Sequence, residues 1–392
     1  MSWPVVRLAD CCEIVSGATP STGVRRYWGG DIAWATPKDL SGLESKYLER
    51  TPQTLTQEGY ESCSAKIMPP NSVLFSSRAP IGHVAINTAP MCTNQGFKSF
   101  VPDAERLSAD FLYYWLRANK VYLQSLGVGA TFKEVSKSIV ADVGLPLPPL
   151  PEQRRIAAIL DKADALRTQR RAAISKLDEL LQSVFLDMFG DVTKNPKNFP
   201  VVTLEEISDK SDRINYGVVQ PGSEFDNGIP IVRIGDIEGG ELDASSIKHI
   251  DPEIEAAYIR SRLKGNEILI SCVGSIGTVA IVPELARGFN IARAITRVPL
   301  KNPESRAFVK ASLRSSGTQN YFREKTRTVS QPTLNVEFVR QTPVLSPPNE
   351  LQQRFTRVAE EVEVRRSEML ASAVKLDTLF ASLQHRAFAG TL

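Results

Sequence analysis

Two stretches of the chain, Glu152 to Phe189 and Leu351 to Ala389, contain neither Pro nor Gly and carry apolar residues in heptads. In the first, Ile156, Ala163, Leu177 and Val184 share one heptad position, with Ile159, Leu166, Ala173 and Leu180 three residues later, and Leu160, Ile174 and Leu181 widen the stripe. Phe355, Val362, Met369, Leu376 and Leu383 form one seam of the second, and Val358 and Leu379 the other. This spacing predicts two long helices, over 152–189 and 351–389, each closed by a glycine (Gly190, Gly390) at the position after its C-terminus. About 38 residues at 1.5 Å each make a helix of about 57 Å, which needs a partner along its length. The first helix carries the chain away from what precedes it, so a second helix packed alongside must run back: an antiparallel, coiled-coil-like pair. Arg170 and Arg365 fall on seam positions near the middle of each. They are expected to reach solvent or pair with Glu363 or Glu368; the sharper alternative is that buried polar groups there fix the register.

The remaining chain has a different grammar. Short β-rich runs, such as Ser72 to Ser76 and Glu267 to Ser271, alternate with turn residues. One amphipathic helix opens at Ser108 and sets Phe111, Leu112, Trp115 and Leu116 on one face. This predicts an α+β protein with two mixed domains, 1–147 and 195–346. The proline-rich exit and first spacer helix occupy 148–194, and the second spacer helix 347–392. Leu145-Pro146-Leu147-Pro148-Pro149-Leu150-Pro151 reads as a stiff break that no helix continues through.

The two halves repeat one another. Trp3-Pro4-Val5-Val6 returns as Phe199-Pro200-Val201-Val202, and Ile81-Gly82-His83-Val84-Ala85-Ile86 as Ile276-Gly277-Thr278-Val279-Ala280-Ile281. Asn94 aligns with Asn290, Phe111-Leu112 with Phe308-Val309, Pro148-Pro149 with Pro347-Pro348, and Leu177-Asp178 with Leu376-Asp377. The offset drifts only from 195 to 199 residues, so a single unit is written twice, which excludes a solenoid of short repeats.

Composition adds exclusions. A net charge of +3 over 392 residues argues neither for nor against nucleic acid, and the long helices balance basic and acidic side chains as solvated faces do. Five cysteines with no Cys-x-x-Cys spacing support neither a disulfide framework nor a zinc ribbon, and are expected as small buried hydrophobes. The absence of any long apolar run and of a signal-like start predicts a cytoplasmic protein without a membrane partner. No Gly-Lys dipeptide, Asn-Pro-Pro-Tyr or Asp-Pro-Pro-Tyr segment, or Gly-x-Ser-x-Gly elbow occurs, and three scattered histidines have no ligand spacing. The chain is expected to be no enzyme by itself and to bind no metal. Two similar domains on a rod suit a ligand with its own repeat, such as duplex DNA with its turn of about 34 Å. A two-domain protein-interaction scaffold without DNA specificity also suits the charge balance.

Several motifs discriminate further. Ser16-Gly17-Ala18-Thr19-Pro20, Tyr27-Trp28-Gly29-Gly30-Asp31-Ile32-Ala33-Trp34, Ser76-Ser77-Arg78-Ala79-Pro80-Ile81-Gly82, Thr93-Asn94-Gln95-Gly96-Phe97 and Leu147-Pro148-Pro149-Leu150-Pro151-Glu152-Gln153-Arg154-Arg155-Ile156 closely resemble the specificity subunit of type I restriction-modification systems. The second copy departs, with Ser271-Cys272-Val273-Gly274-Ser275 and Leu351-Gln352-Gln353-Arg354 in the matching places. The resemblance implies two target-recognition domains, each reading one half of a split site in double-stranded DNA. It implies spacer helices that set the half-site separation and dock two adenine-methyltransferase subunits, which bind S-adenosylmethionine. A restriction subunit using ATP and magnesium can join such complexes. No cofactor is expected in this chain.

Candidate DNA contacts are loop residues of base- or phosphate-reading type. Arg25 and Arg26 lie between turn residues, beside a Trp28 expected in the core; Lys38 and Arg78 are basic positions next to predicted strands. Asn94 and Gln95 carry amides suited to adenine edges, although Asn94 equally suits a turn. Thr131 and Lys133 precede the first proline-rich exit, as Arg323, Lys325, Arg327 and Gln331 precede the second, giving each domain a basic edge. Arg233 and Arg293 are second-domain candidates that equally suit internal ion pairs.

Overall fold

A computed structural model describes residues 3–43, 45–78, 80–129, 133–244, 246–326 and 332–392. The chain forms two compact units, residues 1–172 with 371–392 and residues 173–370. Both long helices, Leu150–Phe189 and Asn349–Phe388, are thus divided between the units near their midpoints. This differs from the expected boundaries, which set the helices apart as spacers. Among the described residues no helix is long and apolar enough to cross a membrane.

In the first unit the strands are β1 (Val5–Arg7), β2 (Cys12–Ser16), β3 (Trp28–Ala35), β4 (Tyr47–Leu48), β5 (Thr54–Leu55), β6 (Val73–Phe75), β7 (Val84–Asn87), β8 (Met91–Thr93), β9 (Lys98–Pro102) and β10 (Gly144–Pro146). They make a five-stranded sheet β2-β9-β6-β7-β4, a three-stranded sheet β5-β3-β8 and the pair β1-β10. The helix Ala109–Ala118 is amphipathic in sequence, yet it buries every residue from Phe111 to Leu116. One side meets the sheet. The other meets the long helices, where Tyr114 packs edge-on against Phe380 at 6.2 Å and Phe111 against Phe388 at 5.5 Å. Ser108 opens this helix without a side-chain cap, its amide donating instead to Gln153 Oε1 at 2.8 Å. Gln153 is fully buried and also donates to the carbonyls of Arg106 and Pro148, both at 2.8 Å. Its place in the Pro-Glu-Gln-Arg run therefore clamps the long helix to the domain.

A polar seam continues that joint. Lys46 Nζ donates to Asp110 at 2.7 Å and Asp161 at 2.5 Å, the Tyr114 hydroxyl to Asp161 at 2.6 Å, and Arg117 to Asp164 at 2.9 Å. Burial works against the charge on Lys46, but the two carboxylates outweigh it and hold its pKa above the ordinary lysine value.

The second unit repeats the plan with β11 (Val201–Thr203), β12 (Asn215–Tyr216), β13 (Ile229–Val232), β14 (Ile237–Glu238), β15 (Glu241–Leu242), β16 (Lys248–Ile250), β17 (Glu267–Ser271), β18 (Val279–Ile281), β19 (Asn290–Ile291), β20 (Ile295–Pro299) and β21 (Pro343–Leu345). The pair β11-β21 mirrors β1-β10, and the order β12-β20-β17-β18 mirrors β2-β9-β6-β7. In β13 the parallel neighbour is β19, as β8 is of β3. Where the first unit packs Tyr113 and Tyr114, the matching helix Arg306–Arg314 carries Lys310 and Ala311, which line a cavity of about 690 Å³ with Glu360, Glu363 and Arg366.

The long helices run antiparallel within each unit. In the first, Arg155 reaches the Leu392 carbonyl while Arg167 reaches Asp377 at 2.5 Å. In the second, Asp178 faces Arg366 at 3.7 Å while Phe185 and Phe189 pack on Phe355 at 5.5 and 5.8 Å. Both closing glycines adopt the left-handed conformation expected of them, φ being 81° at Gly190 and 73° at Gly390.

The contact stripe departs from the expected heptads. Ile156, Ala163 and Phe355 are buried, and Ile159, Leu177, Val184, Val358, Val362, Met369, Leu376 and Leu383 are half-buried. Leu166, Leu180 and Leu379 instead face outward, 52%, 52% and 49% exposed. Leu160, expected to widen the stripe, is buried beside Ile156, and so is Ala157, because each helix end is covered by a helix of the mixed domain as well as by the other long helix, so the buried face is wider than a two-stranded seam. Arg365 is exposed and pairs with Glu368 at 3.0 Å, as expected, and Arg170 is half-buried; the arginines drawn inside are Arg167 and Arg366. No helix runs through the proline-rich segment, as expected: β10 leads into it and the long helix begins at Leu150, two residues before the expected start, with Pro151 in its first turn, where a missing N–H costs nothing. All five cysteines are free thiols, Cys63 half-buried and the others buried.

Candidate nucleic-acid interface

At the end of β3 the chain turns at Thr36, whose amide and hydroxyl both donate to Asp39 Oδ2, at 2.7 and 2.8 Å. Pro37 follows at the first helical position, and this capped turn holds Lys38 exposed. Neighbouring β8 ends at Thr93. There the Asn94 amide donates to the Ala35 carbonyl at 3.0 Å, while Asn94 Oδ1 accepts from the Gly96 amide at 2.9 Å. Asn94 therefore holds a turn, and Gln95 is the residue lifted into solvent. Gly17 passes under this turn so closely that a Cβ there would lie 1.9 Å from the Asn94 carbonyl oxygen, which explains a glycine at that point of the Ser-Gly-Ala-Thr-Pro motif.

Arg78 leaves the end of the β6 run exposed, bridged through its backbone to Glu134, whose carboxylate lies 3.9 Å from its guanidinium. The same carboxylate accepts from Lys98 at 3.1 Å. Thr36, Pro37, Lys38, Arg78, Asn94, Gln95 and Gly96 line one cleft of about 280 Å³. Exposed Lys133 adjoins Glu134 on the segment paired with Arg78. Four sequence candidates, Lys38, Arg78, Asn94 and Gln95, are thus brought together. Thr131, Arg327 and Gln331 lie outside the described residues.

Arg25 and Arg26 do not line this cleft. They occupy an exposed 3₁₀ turn, where Arg26 pairs with Glu58 at 2.8 Å. Trp28 beside them packs edge-on against Trp34 at 4.9 Å.

The second unit builds the same place from other residues. Ala292 N donates to Val232 O at 2.9 Å as Asn94 N does to Ala35 O, and Ile295 N donates to Ala292 O at 2.9 Å as Phe97 N does to Asn94 O. Cys272 N donates to Ala294 O as Ser77 N does to Gly96 O, both at 2.8 Å. Arg293 therefore stands where Gln95 stands, Ala292 where Asn94 does, and Val273, bridged to Thr333, where Arg78 does. Arg233 and Asp236 take the places of Thr36 and Asp39, with Gly235 for Lys38. This corrects the alignment of Asn94 with Asn290. Asn290 sits in β19 opposite Ile231 as Cys92 sits opposite Trp34, fully buried and donating to Glu255 at 2.9 Å. The longer connection from β18 to β19, with a 3₁₀ turn at Glu284–Ala286, shifts the register.

Arg233 spends its guanidinium on Asp236, donating at 2.9 and 3.2 Å, and that hydrogen bond raises its pKa above the ordinary arginine value. Arg293 is exposed and forms no ion pair among the described residues. Arg323 and Lys325 are exposed on the helix Ser316–Lys325; Arg323 donates to Asn320 and Lys325 lies 5.8 Å from the Tyr321 ring centroid. Thr36, Pro37 and Gly96 were not among the sequence candidates, although Thr-Pro-Lys-Asp is a readable cap signal. Glu134 had no signal, since its role depends on a pairing distant in sequence. Among the described residues no group of three or more His, Cys, Asp or Glu is placed to hold a metal ion.

Two mixed α+β units, each with the same strand-end turn and each holding part of both long helices, make up the chain. Residues 1–176 match the family model described as the type I restriction modification DNA specificity domain. The chain is 38% identical over 189 residues to the type I restriction enzyme MjaIX specificity subunit of Methanocaldococcus jannaschii, covering 48% of this chain but only 43% of that relative. It is 29% identical over 337 residues to the EcoBI specificity subunit of Escherichia coli, covering 77% and 70%. Its fold matches the crystal structure of a type I restriction-modification S subunit from M. genitalium, with a TM-score of 0.54 at 14% identity over 98% of this chain and 96% of that one. The chain is thus similar to type I restriction enzyme specificity subunits, the family model matching its residues 1–176.

Proposed function

We propose that this chain is the DNA-specificity subunit of a type I restriction-modification complex, in which each unit reads one half of a bipartite site. The observation that carries the reading is the strand-end turn built with equivalent backbone hydrogen bonds in both units, with Lys38, Arg78 and Gln95 around a cleft at one and Arg293 at the other. Cations there neutralise phosphates while amide and guanidinium groups face base edges. The long helices set the half-site separation and carry two adenine-methyltransferase subunits. Outward-facing Leu166, Leu180 and Leu379 are apolar side chains suited to a packed protein partner. S-adenosylmethionine binds to those partners, and a restriction subunit supplies the chemistry that needs ATP and magnesium.

The test is reconstitution with the cognate methyltransferase. Methylated adenines mapped with and without this chain are expected to define one split motif that disappears without it. Specific duplex retention should also fall steeply with salt, because neutralised phosphates release counterions. Retention that stays flat from low to physiological salt, together with methylation independent of the chain, would overturn the proposal in favour of a protein scaffold.

A further inference from the structure

We infer that Gln95 and Arg293 are matched base-reading positions, Gln95 selecting adenine and Arg293 selecting guanine in their respective half-sites. The inference rests on the DNA-specificity reading above and extends it to single side chains. Three backbone hydrogen bonds recur around each residue with the same partners' equivalents, so the two α-carbons leave the same kind of turn at the same point of the same strand order. Both side chains are exposed beyond the strand end. The neighbouring polar groups have other occupations: Asn94 bonds its own turn, and Arg233 is bound to Asp236.

The chemistry at the two points differs. The Thr19 hydroxyl donates to Gln95 Oε1, which orients the amide and leaves Nε2 free to donate and Oε1 with a second lone pair. That is the donor-and-acceptor pair that meets adenine N7 and N6. Arg293 offers only donors, in a fork that meets guanine O6 and N7. Ala18, which precedes Thr19, corresponds to Val218: Ala18 N donates to Thr93 O at 2.9 Å as Val218 N does to Ile291 O at 2.8 Å, so the backbone beneath is retained while the reader changes.

The experiment uses the full chain in complex with its methyltransferase, with motif preference read from methylated adenines over a randomised duplex library. Gln95→Arg is expected to convert one adenine of the first unit's half-site to guanine, with discrimination of roughly ten- to hundredfold, and to leave the other half unchanged. Arg293→Gln is expected to make the converse change in the other half. Should Gln95→Arg abolish methylation, Gln95→Ala decides: relaxation at a single adenine supports the assignment, and an unaltered requirement at every position overturns it. A change spread over both halves overturns it as well. A parent chain that directs no motif defeats the DNA-specificity reading itself; a parent motif left unchanged by the variants defeats only the assignment of these two residues.

Discussion

Gln95 owes its exposed position to its neighbour Asn94, whose side chain holds the turn. Asn94→Ala removes the acceptor of the Gly96 amide and is expected to cost about 1 kcal/mol of stability. The larger effect belongs in specific affinity, because the turn that aims Gln95 loosens; calorimetric melting and binding to the methylated motif would separate the two. Lys38→Ala and Arg78→Ala should behave differently, weakening specific and non-specific duplexes alike and reducing the slope of log K against log salt by about 0.9 each. A loss confined to one sequence would contradict their assignment to phosphates. Side-chain type made Lys38, Arg78, Asn94 and Gln95 legible as candidates in the sequence. Which of them holds the turn and which extends beyond it was not legible, since Asn94 and Gln95 are adjacent and only the hydrogen bond to Gly96 tells them apart. Arg293 was found by type, but its equivalence to Gln95 was hidden by the longer β18 to β19 connection, which slid Asn290 into a false match.

Heptads located both long helices to within two residues at either end, yet misplaced their contacts, because a heptad seam presumes one partner and these helix ends have two. Leu160, fully buried, should cost about 2–5 kcal/mol on replacement by Ala. Leu180→Glu and its repeat equivalent Leu379→Glu should change stability by no more than about 0.5 kcal/mol, while weakening capture of the methyltransferase. Unaltered assembly by the double variant would remove these leucines from the docking face. The ion pairs along the helices make a separate pH prediction. Asp377 has its pKa lowered by the hydrogen bond from Arg167, then by the charges of Arg167 and Arg171. A depressed carboxylate contributes stability that is complete above its unfolded value and lost as pH falls through its folded one. Melting of the first unit should therefore weaken below about pH 4, and Asp377→Asn should flatten that part of the profile. The same pair recurs with the helices exchanged, Arg366 facing Asp178, although there Arg366 also serves Glu241 and Glu363. None of this was readable from periodicity, which marked Arg170 and Arg365 instead.

For the molecule as a whole, the repeat was the most legible feature, because duplicated strands, turns and proline exits keep nearly one offset throughout. It implies that residues 1–147 can be exchanged for another recognition domain, changing one half of the methylated motif and sparing the other. Each unit buries apolar clusters of its own, which supports the proposal that each reads its own half-site. The exchange has a requirement that the repeat alone does not reveal. Gln153, Asp161 and Asp164 remain on the long helix after the cut, and in the parent they are met by the Ser108 amide, the Lys46 and Tyr114 side chains, and Arg117. A graft that carries apolar residues in those places leaves Asp161 beside a low-dielectric wall without donors and Asp164 with Arg167 alone, a loss of order 1–3 kcal/mol for each lost charged hydrogen bond. Grafts retaining Lys46, Tyr114 and Arg117 are accordingly expected to assemble and methylate a motif with one new half. Grafts lacking them should assemble poorly even where the new domain binds its own half-site duplex. Methylation mapping on both sets distinguishes these outcomes: a motif altered in both halves would show that the units do not read separately, and equal assembly by both sets would show that this polar joint is dispensable.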